Sequence, residues 1–435
     1  QYLNLTLVAA SVTHYPPFSL EIQVTLTLLA DLDDTLLGND FGNFLPYYLD
    51  VLGKHLKSFA EPQVLIRKLM AATQMMIENN SPDRTLKQVF DDSFFPSIDV
   101  KPEEMQSAFE TFYADVFPQL RRYTNLRPDA IRLVNQTLGA GCRIAIATNP
   151  LFPRAAILER LEWAGISPQD YAFSVITSYE TFHFAKPNPA YFAEILAQIG
   201  WPEGGILMIG DNLEDDIIAS RRLGLPAFWI STQVPAAASD PYAPTGFGSI
   251  SDCSQWLDTV PSEVLQPDYN SPESLLAILR ATPAALDTLL TKLPGSTWMI
   301  RPEENEWSLT EIICHLRDVE IEVNLPRLQK VLDETNPFIA GQDTDPWVNE
   351  RQYIDQDGLA ALVDFTTARI RLLNMLESLS KDSWNRAARH AIFGPTDLEE
   401  LTNFISGHDQ LHLRQIHNQL TKPSQPLEDI SPLAA

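Results

Sequence analysis

Hydrophobic patterning divides the chain into two unlike parts. In the first, short apolar runs stop abruptly at polar residues, as buried strands of a parallel sheet do. Leu26-Thr-Leu-Leu-Ala30 stops at Asp31-Leu-Asp33-Asp34-Thr35, and Cys142-Arg-Ile-Ala-Ile-Ala147 stops at Thr148-Asn149. Gly205-Ile-Leu-Met-Ile-Gly210 stops at Asp211-Asn212, and Ala227-Phe-Trp-Ile230 completes a further helix-to-strand step. Between the first two runs the period becomes helical, over Phe44–Leu56, Val64–Ile77 and Pro102–Tyr113. The long interval from Asp31 to Thr148, against the short one from Thr148 to Lys186, places a helical insertion at about 38–123. The expected core is an α/β doubly wound parallel sheet over 25–262 that carries this insertion as a cap.

Beyond about residue 270 the pattern reads as helical throughout. Ser271-Pro272-Glu273 is a capped helix start. Ser308-Leu-Thr-Glu311, preceded by Trp307, is a capping box opening a long second helix. Helices follow over Leu359–Leu379 and Leu398–Leu420, so residues 270–422 are expected to form an all-α four-helix bundle. The Pro-rich stretch 261–272 supplies the linker, centred on 263–269, and is expected to keep two separate cores apart. Residues 1–24 interrupt their apolar character with Pro16-Pro17, have no basic residue before Lys54 and are expected to be peripheral and poorly ordered. The absence of an initiator Met suggests a fragment or an extension, and 423–435 reads as a tail.

Composition narrows the function. A net charge of −26 over 435 residues argues against nucleic-acid and anionic-membrane surfaces, both of which need basic stripes. The cysteines Cys142, Cys253 and Cys314 are odd in number and far apart, so no disulfide framework is expected and a reducing cytoplasm fits. A homodimer is left open. Acidic groups at a strand end invite a cation, since two carboxylates two residues apart repel one another.

The order Asp31-x-Asp33-x-Thr35, then Thr148-Asn149, then Lys186-Pro187 and finally Gly210-Asp211 with Asp215-Asp216 resembles the motif set of the haloacid dehalogenase superfamily. The resemblance covers about residues 25–262 and implies a Rossmann-like fold with a first-type helical cap. It implies that Asp31 is a nucleophile forming an aspartyl-phosphate and that Asp33 is the general acid and base. Mg²⁺ would then be held by Asp31, the Asp33 carbonyl and Asp211. Thr148, the Asn149 amide and Lys186 would bind the phosphoryl oxygens, making Asp31, Asp33, Thr148 and Lys186 the catalytic set. Asp215 or Asp216, with Asp216 preferred, would act behind the metal or on Lys186. Dehalogenation does not need the second aspartate, so phosphomonoester hydrolysis of a small phosphorylated metabolite is preferred. A mutase and a phosphonate hydrolase remain as variants. Substrate choice is expected in the cap, whose Met75, Met76, Phe109 and Phe112 read as packing residues.

In the bundle, His408 and His412 share a helical face and His315 lies two turns into the second helix. Three neutral imidazoles make an open site for Zn²⁺, Ni²⁺ or Fe²⁺. With the phrase Trp307-Ser-Leu-Thr-Glu-Ile-Ile-Cys-His315, these residues resemble the DinB-like family of metal-binding four-helix bundles. His417 is off the shared face and His390 reads as loop, so neither is included. The bundle could serve as a metal-dependent thiol-transferase-like module that carries the main activity, or as a non-catalytic sensing or partner module for the phosphatase.

Overall fold

The computed structural model describes residues 26–39, 41–235 and 240–421. The expected extension at 1–24 and tail at 423–435 lie outside the described residues. Strand β1 (Thr27–Ala30) runs into a short antiparallel ribbon of β2 (Leu37–Gly38) and β3 (Asn125–Leu126). That ribbon is the neck of the insertion. Between its strands lie helices α1 (Phe41–His55), α2 (Pro62–Ile77), α3 (Leu86–Ser97) and α4 (Pro102–Thr111), of which α1, α2 and α4 lie where the helical period predicted them. The chain then alternates through α5 (Pro128–Gly139), β4 (Arg143–Ile146), α6 (Arg154–Trp163), β5 (Val175–Ile176) and α7 (Pro189–Gln198). It continues through β6 (Ile206–Gly210), α8 (Ala219–Leu223), β7 (Ala227–Ile230), β8 (Gly246–Gly248) and α9 (Ile250–Leu257).

Strands β1 and β4–β8 form one parallel sheet in the order β5-β4-β1-β6-β7-β8. The sequence connects outward from β1 in both directions, so β1 sits where the strand order reverses. A crevice opens there at the carboxyl ends, the place where such sheets bind ligands. Leu28, Leu29, Ala30 and Ile206–Ile209 are buried on both faces of the sheet, which explains their unbroken apolar runs.

The C-terminal part comprises α10 (Pro272–Leu290), α11 (Gly295–Trp298), α12 (Leu309–Val319), α13 (Leu325–Asp333), β9 (Phe338–Ile339), α14 (Trp347–Glu350), α15 (Gly358–Glu377), β10 (Ala387–His390), β11 (Gly394–Asp397) and α16 (Leu398–Thr421). The bundle is built from α10, α12 continued through a π-turn into α13, α15 and α16. The capping box at Ser308 and Glu311 is present, and Ser271 caps α10. The expectation of helix alone is corrected by a three-stranded sheet, β11-β10-β9, against one end of the bundle. His390, read as loop, is the last residue of β10.

A second correction concerns the linker. One hydrophobic core runs through both parts and joins Tyr191, Ile195 and Leu196 of α7 to Ile278, Ala281 and Ala285 of α10. Alanines along α10 let the two helices approach closely, and every residue of α7 from Ala190 to Gln198 is buried. Gly224 ends α8 in the left-handed region at φ 95°, where a Cβ would stand 1.7 Å from the Asp268 carbonyl oxygen. The linker is therefore held against the first domain.

Candidate active site and metal centre

Three strand ends converge at the crevice. Asp31 follows β1, Thr148 follows β4 and Asp211 follows β6, and all line one cavity of about 170 Å³ with Asp33, Asn149, Lys186, Asp215 and Asp216. Lys186 reaches it from the turn before α7. Its ammonium, only 2% exposed, donates to Asp31 Oδ1 at 2.8 Å and to Asp216 Oδ1 at 2.5 Å.

Asp216 rides on a π-turn (Leu213–Ile218) that turns its carboxylate back over the strand end, where the Asn212 amide donates to Oδ2 at 3.0 Å. Gly210 makes room for it, since a Cβ there would lie 2.2 Å from that oxygen. Asp215, at the edge of the cavity, accepts from Asn212 Nδ2 at 3.3 Å and makes no bond to Lys186. The open choice between Asp215 and Asp216 thus meets a clear geometry: Asp216 is the one that touches Lys186.

The charges do not balance. Asp31, Asp211 and Asp216 offer oxygens within 4.8 Å of one another, and one ammonium serves them. Burial first, then the neighbouring carboxylates against the pull of Lys186, pushes Asp31 up to about 7. Burial and the charges of Asp31 and Asp34 push Asp211 up to about 7 as well, despite a 3.2 Å hydrogen bond from Thr35. Burial opposes the charge on Lys186, but Asp216 and Asp31 outweigh it and hold its proton well above the usual range. Buried carboxylate oxygens in excess of fixed positive charge are the donor set of a hard divalent cation, so these residues fit Mg²⁺.

Asp33 lies 17% exposed beside Asp31, held by the buried Arg160 guanidinium of α6 and by Asn39 Nδ2 at 2.6 Å. Neither partner was visible in the sequence reading. Arg160 carries a weak signal, since it falls on the same face of α6 as the buried Ala156, Ile157 and Trp163. The Thr148 carbonyl is pinned by Tyr191 Oη and Thr177 Oγ1, both at 2.7 Å. Asn149 Oδ1 accepts from the Lys186 amide at 3.3 Å, which ties the segment after β4 to the turn before α7.

A second centre lies in the bundle. His315 Nε2 and His412 Nε2 each stand 3.1 Å from His408 Nε2. Tetrahedral bonds of about 2.0–2.1 Å require nitrogens roughly 3.3 Å apart, so the trio is preformed to within a small adjustment. Burial, reinforced by the neighbouring imidazoles, holds all three down at about 3, leaving the rings neutral, the form in which imidazole binds a metal. Trp307 covers the cluster, its ring stacked on His412, and Gln415 Oε1 lies 3.1 Å from His412 Nδ1. Beside it a buried Arg369 bridges Glu320 and Asp409, joining α15 to α16 and to the π-turn that follows α12.

Comparison with known proteins divides the chain at the same place. Residues 26–224 match the family model of haloacid dehalogenase-like hydrolases, and residues 278–416 match that of the DinB superfamily. A phosphoglycolate phosphatase of Agrobacterium fabrum is 28% identical over 150 residues, which is 34% of this chain and 59% of that protein. The chain thus spans little more than half of that relative's length. Among solved structures, a HAD phosphatase from Thermococcus onnurineus aligns with 54% of this chain and 97% of its own at 18% identity and a TM-score of 0.35. YfiT from Bacillus subtilis, described as a probable metal-dependent hydrolase with an unusual four-helix bundle topology, aligns with 37% of this chain and 91% of its own at 18% identity and a TM-score of 0.32. No helix among the described residues is long and apolar enough to cross a membrane.

Proposed function

The chain joins a haloacid dehalogenase-like hydrolase domain to a DinB superfamily domain, and from that premise we propose that it is a Mg²⁺-dependent phosphatase of small phosphomonoesters with a transition-metal centre in its bundle. The observation that carries this reading is the group Asp31, Asp211 and Asp216 gathered at the sheet's switch point, with a buried lysine bonded to Asp31 and Asp216.

Asp31 attacks phosphorus, a P–O bond forms to its carboxylate and the bond to the leaving alkoxide breaks. Asp33 gives that alkoxide its proton. It then takes a proton from the water that attacks the aspartyl-phosphate, releasing phosphate and restoring Asp31. Lys186, Thr148 and the Asn149 amide hold the phosphoryl oxygens and offset charge as it develops. Asp31, the Asp33 carbonyl and Asp211 would hold Mg²⁺, whose bound charge lets an anionic nucleophile approach an anionic phosphate. Asp216 positions Lys186.

Arg160 and Asn39 position Asp33, and the cap limits entry of water. The bundle's trio would hold one divalent Zn²⁺, Ni²⁺ or Fe²⁺ and keep a position open to water. The buried Cys314 thiol beside it is pushed up to about 11, chiefly by burial, which gives a thiol-transferase reading no nucleophile of the chain's own. The deciding test is phosphate release from a panel of small phosphomonoesters with and without Mg²⁺. Release that requires Mg²⁺ supports the reading, and no release from any ester in the panel rejects it.

A further inference from the structure

Beside the phosphoryl cavity lies a larger one. About 740 Å³ opens between cap and sheet, and Leu151 lines both chambers. The first, at about 170 Å³, holds a few water volumes and so takes a phosphoryl group with little beyond it. Of the two larger spaces beside it, one of about 710 Å³ meets it at Asp34 and Asp211, where the metal would sit, so the leaving group is assigned to the other, on the cap side past Leu151. The second chamber is walled by Phe90, Phe95, Phe109 and Tyr113 of the cap region and by Tyr179 from the sheet side. The Tyr48 and Tyr113 hydroxyls, 2.9 Å apart, give that wall one polar point. Phe109, expected to be packing, faces this space, whereas Met76 and Phe112 are core and Met75 is half exposed.

Charge selects further. The lining contains Asp91, Glu103, Glu110, Glu159 and Glu180 against a single cation, Lys87, which is already paired with Asp91. A carboxylate on the leaving group would meet this acidic rim with no unpaired cation among the described lining residues. Like-charge juxtaposition in a half-desolvated cleft is a strong selector against the wrong ligand. An aromatic or apolar group escapes that repulsion and gains the ring contacts. We propose that this chain acts on phosphomonoesters whose leaving group is bulky, apolar or aromatic and free of negative charge. The proposal rests on the phosphatase reading above and names its substrate class.

The test uses the full chain with Mg²⁺ and two esters with alkoxide leaving groups, benzyl phosphate and phosphoglycolate. The kcat/KM for benzyl phosphate should exceed that for phosphoglycolate by about 30-fold or more, on the scale of pocket discrimination. Phe109→Ala should lower it about 10-fold for benzyl phosphate alone. The pair Glu159→Gln and Glu180→Gln, which keeps the bonds from the Trp163 indole and the Arg154 amide, should raise turnover of phosphoglycolate about 10-fold. Equal or better turnover of phosphoglycolate by the unmodified chain overturns the leaving-group assignment and leaves the phosphatase reading intact, as does a ratio that neither variant moves. Calorimetric binding of phenethylphosphonate and 3-phosphonopropionate, which are not hydrolysed, separates the two readings. If no ester is cleaved, the phosphatase reading fails. Tighter phenethylphosphonate binding would then still support the cavity's preference, and equal binding would overturn it.

Discussion

Residue by residue, the site separates the carboxylate proposed as nucleophile from the one proposed as proton carrier. Asp31 sits under Lys186, whereas Asp33 leans away onto Arg160 and Asn39. Asp31→Asn should lower phosphatase turnover more than ~10³-fold, because an amide cannot form the acyl-phosphate. Retention of turnover in that variant excludes the assignment. Asp33→Asn should cost roughly 10²–10⁴-fold with alkyl phosphates and much less with nitrophenyl phosphate, whose leaving group needs no proton. A uniform loss across leaving groups would remove Asp33 from the acid role. The neighbourhood of Asp31 was legible because Asp31, Thr148 and Asp211 each follow an apolar strand. Arg160 and Tyr191 were not, because a polar atom inside a helical stretch does not announce which distant carboxylate or carbonyl it will meet.

Between elements, the decisive contact is α7 against α10. His183, just before α7, is wholly buried, with Nδ1 2.8 Å from Glu194. Its Nε2 lies 3.3 Å from Asp287 of α10, an ion-pair separation without hydrogen-bond alignment. Burial opposes its charge, but Glu194 and Asp287 outweigh burial and raise the ring from 6.5 to about 9. A raised folded value means that stabilisation is complete below about 6.5 and is lost as pH rises through about 9. The thermal midpoint should therefore fall between pH 7 and 9.5, which scanning calorimetry can follow. Asp287→Asn should lower stability at pH 7 by about 1 kcal/mol and flatten that fall, since one of the two carboxylates is gone. An unchanged slope in the variant would show that the pair does not link the elements. The helix α7 carried a sign of this in its sequence, Pro189-Ala-Tyr-Phe-Ala-Glu-Ile-Leu-Ala, which is apolar almost all round. Such a helix must be covered on every side. The pattern shows the need for a cover and not which element supplies it.

For the whole molecule, the shared core turns two domains into one unit. His408→Ala with His412→Ala should remove a stoichiometric transition metal that elemental analysis finds in the unmodified chain, and metal content should persist well below pH 6 and fall only as pH approaches about 3, where protons begin to compete for these buried imidazoles. Equal metal in both preparations would make the trio structural. Because the core is continuous, chelation should lower the transition of the entire chain by a few degrees, not that of the bundle alone. Two transitions, one of them unmoved, would count against this. The sequence by itself determined the parallel sheet, the cap insertion, the four long helices and the strand-end carboxylates. Each of these follows from local periodicity, from a cap or from an abrupt change of polarity, and such signals survive in one dimension. Only the tertiary structure decided that Asp216 and not Asp215 meets Lys186, that Arg160 takes Asp33, that a small sheet closes the bundle and that the linker leaves no gap. These choices depend on where a π-turn aims one carboxylate and on which apolar face finds another, and such distances arise only when segments far apart in the chain are packed together.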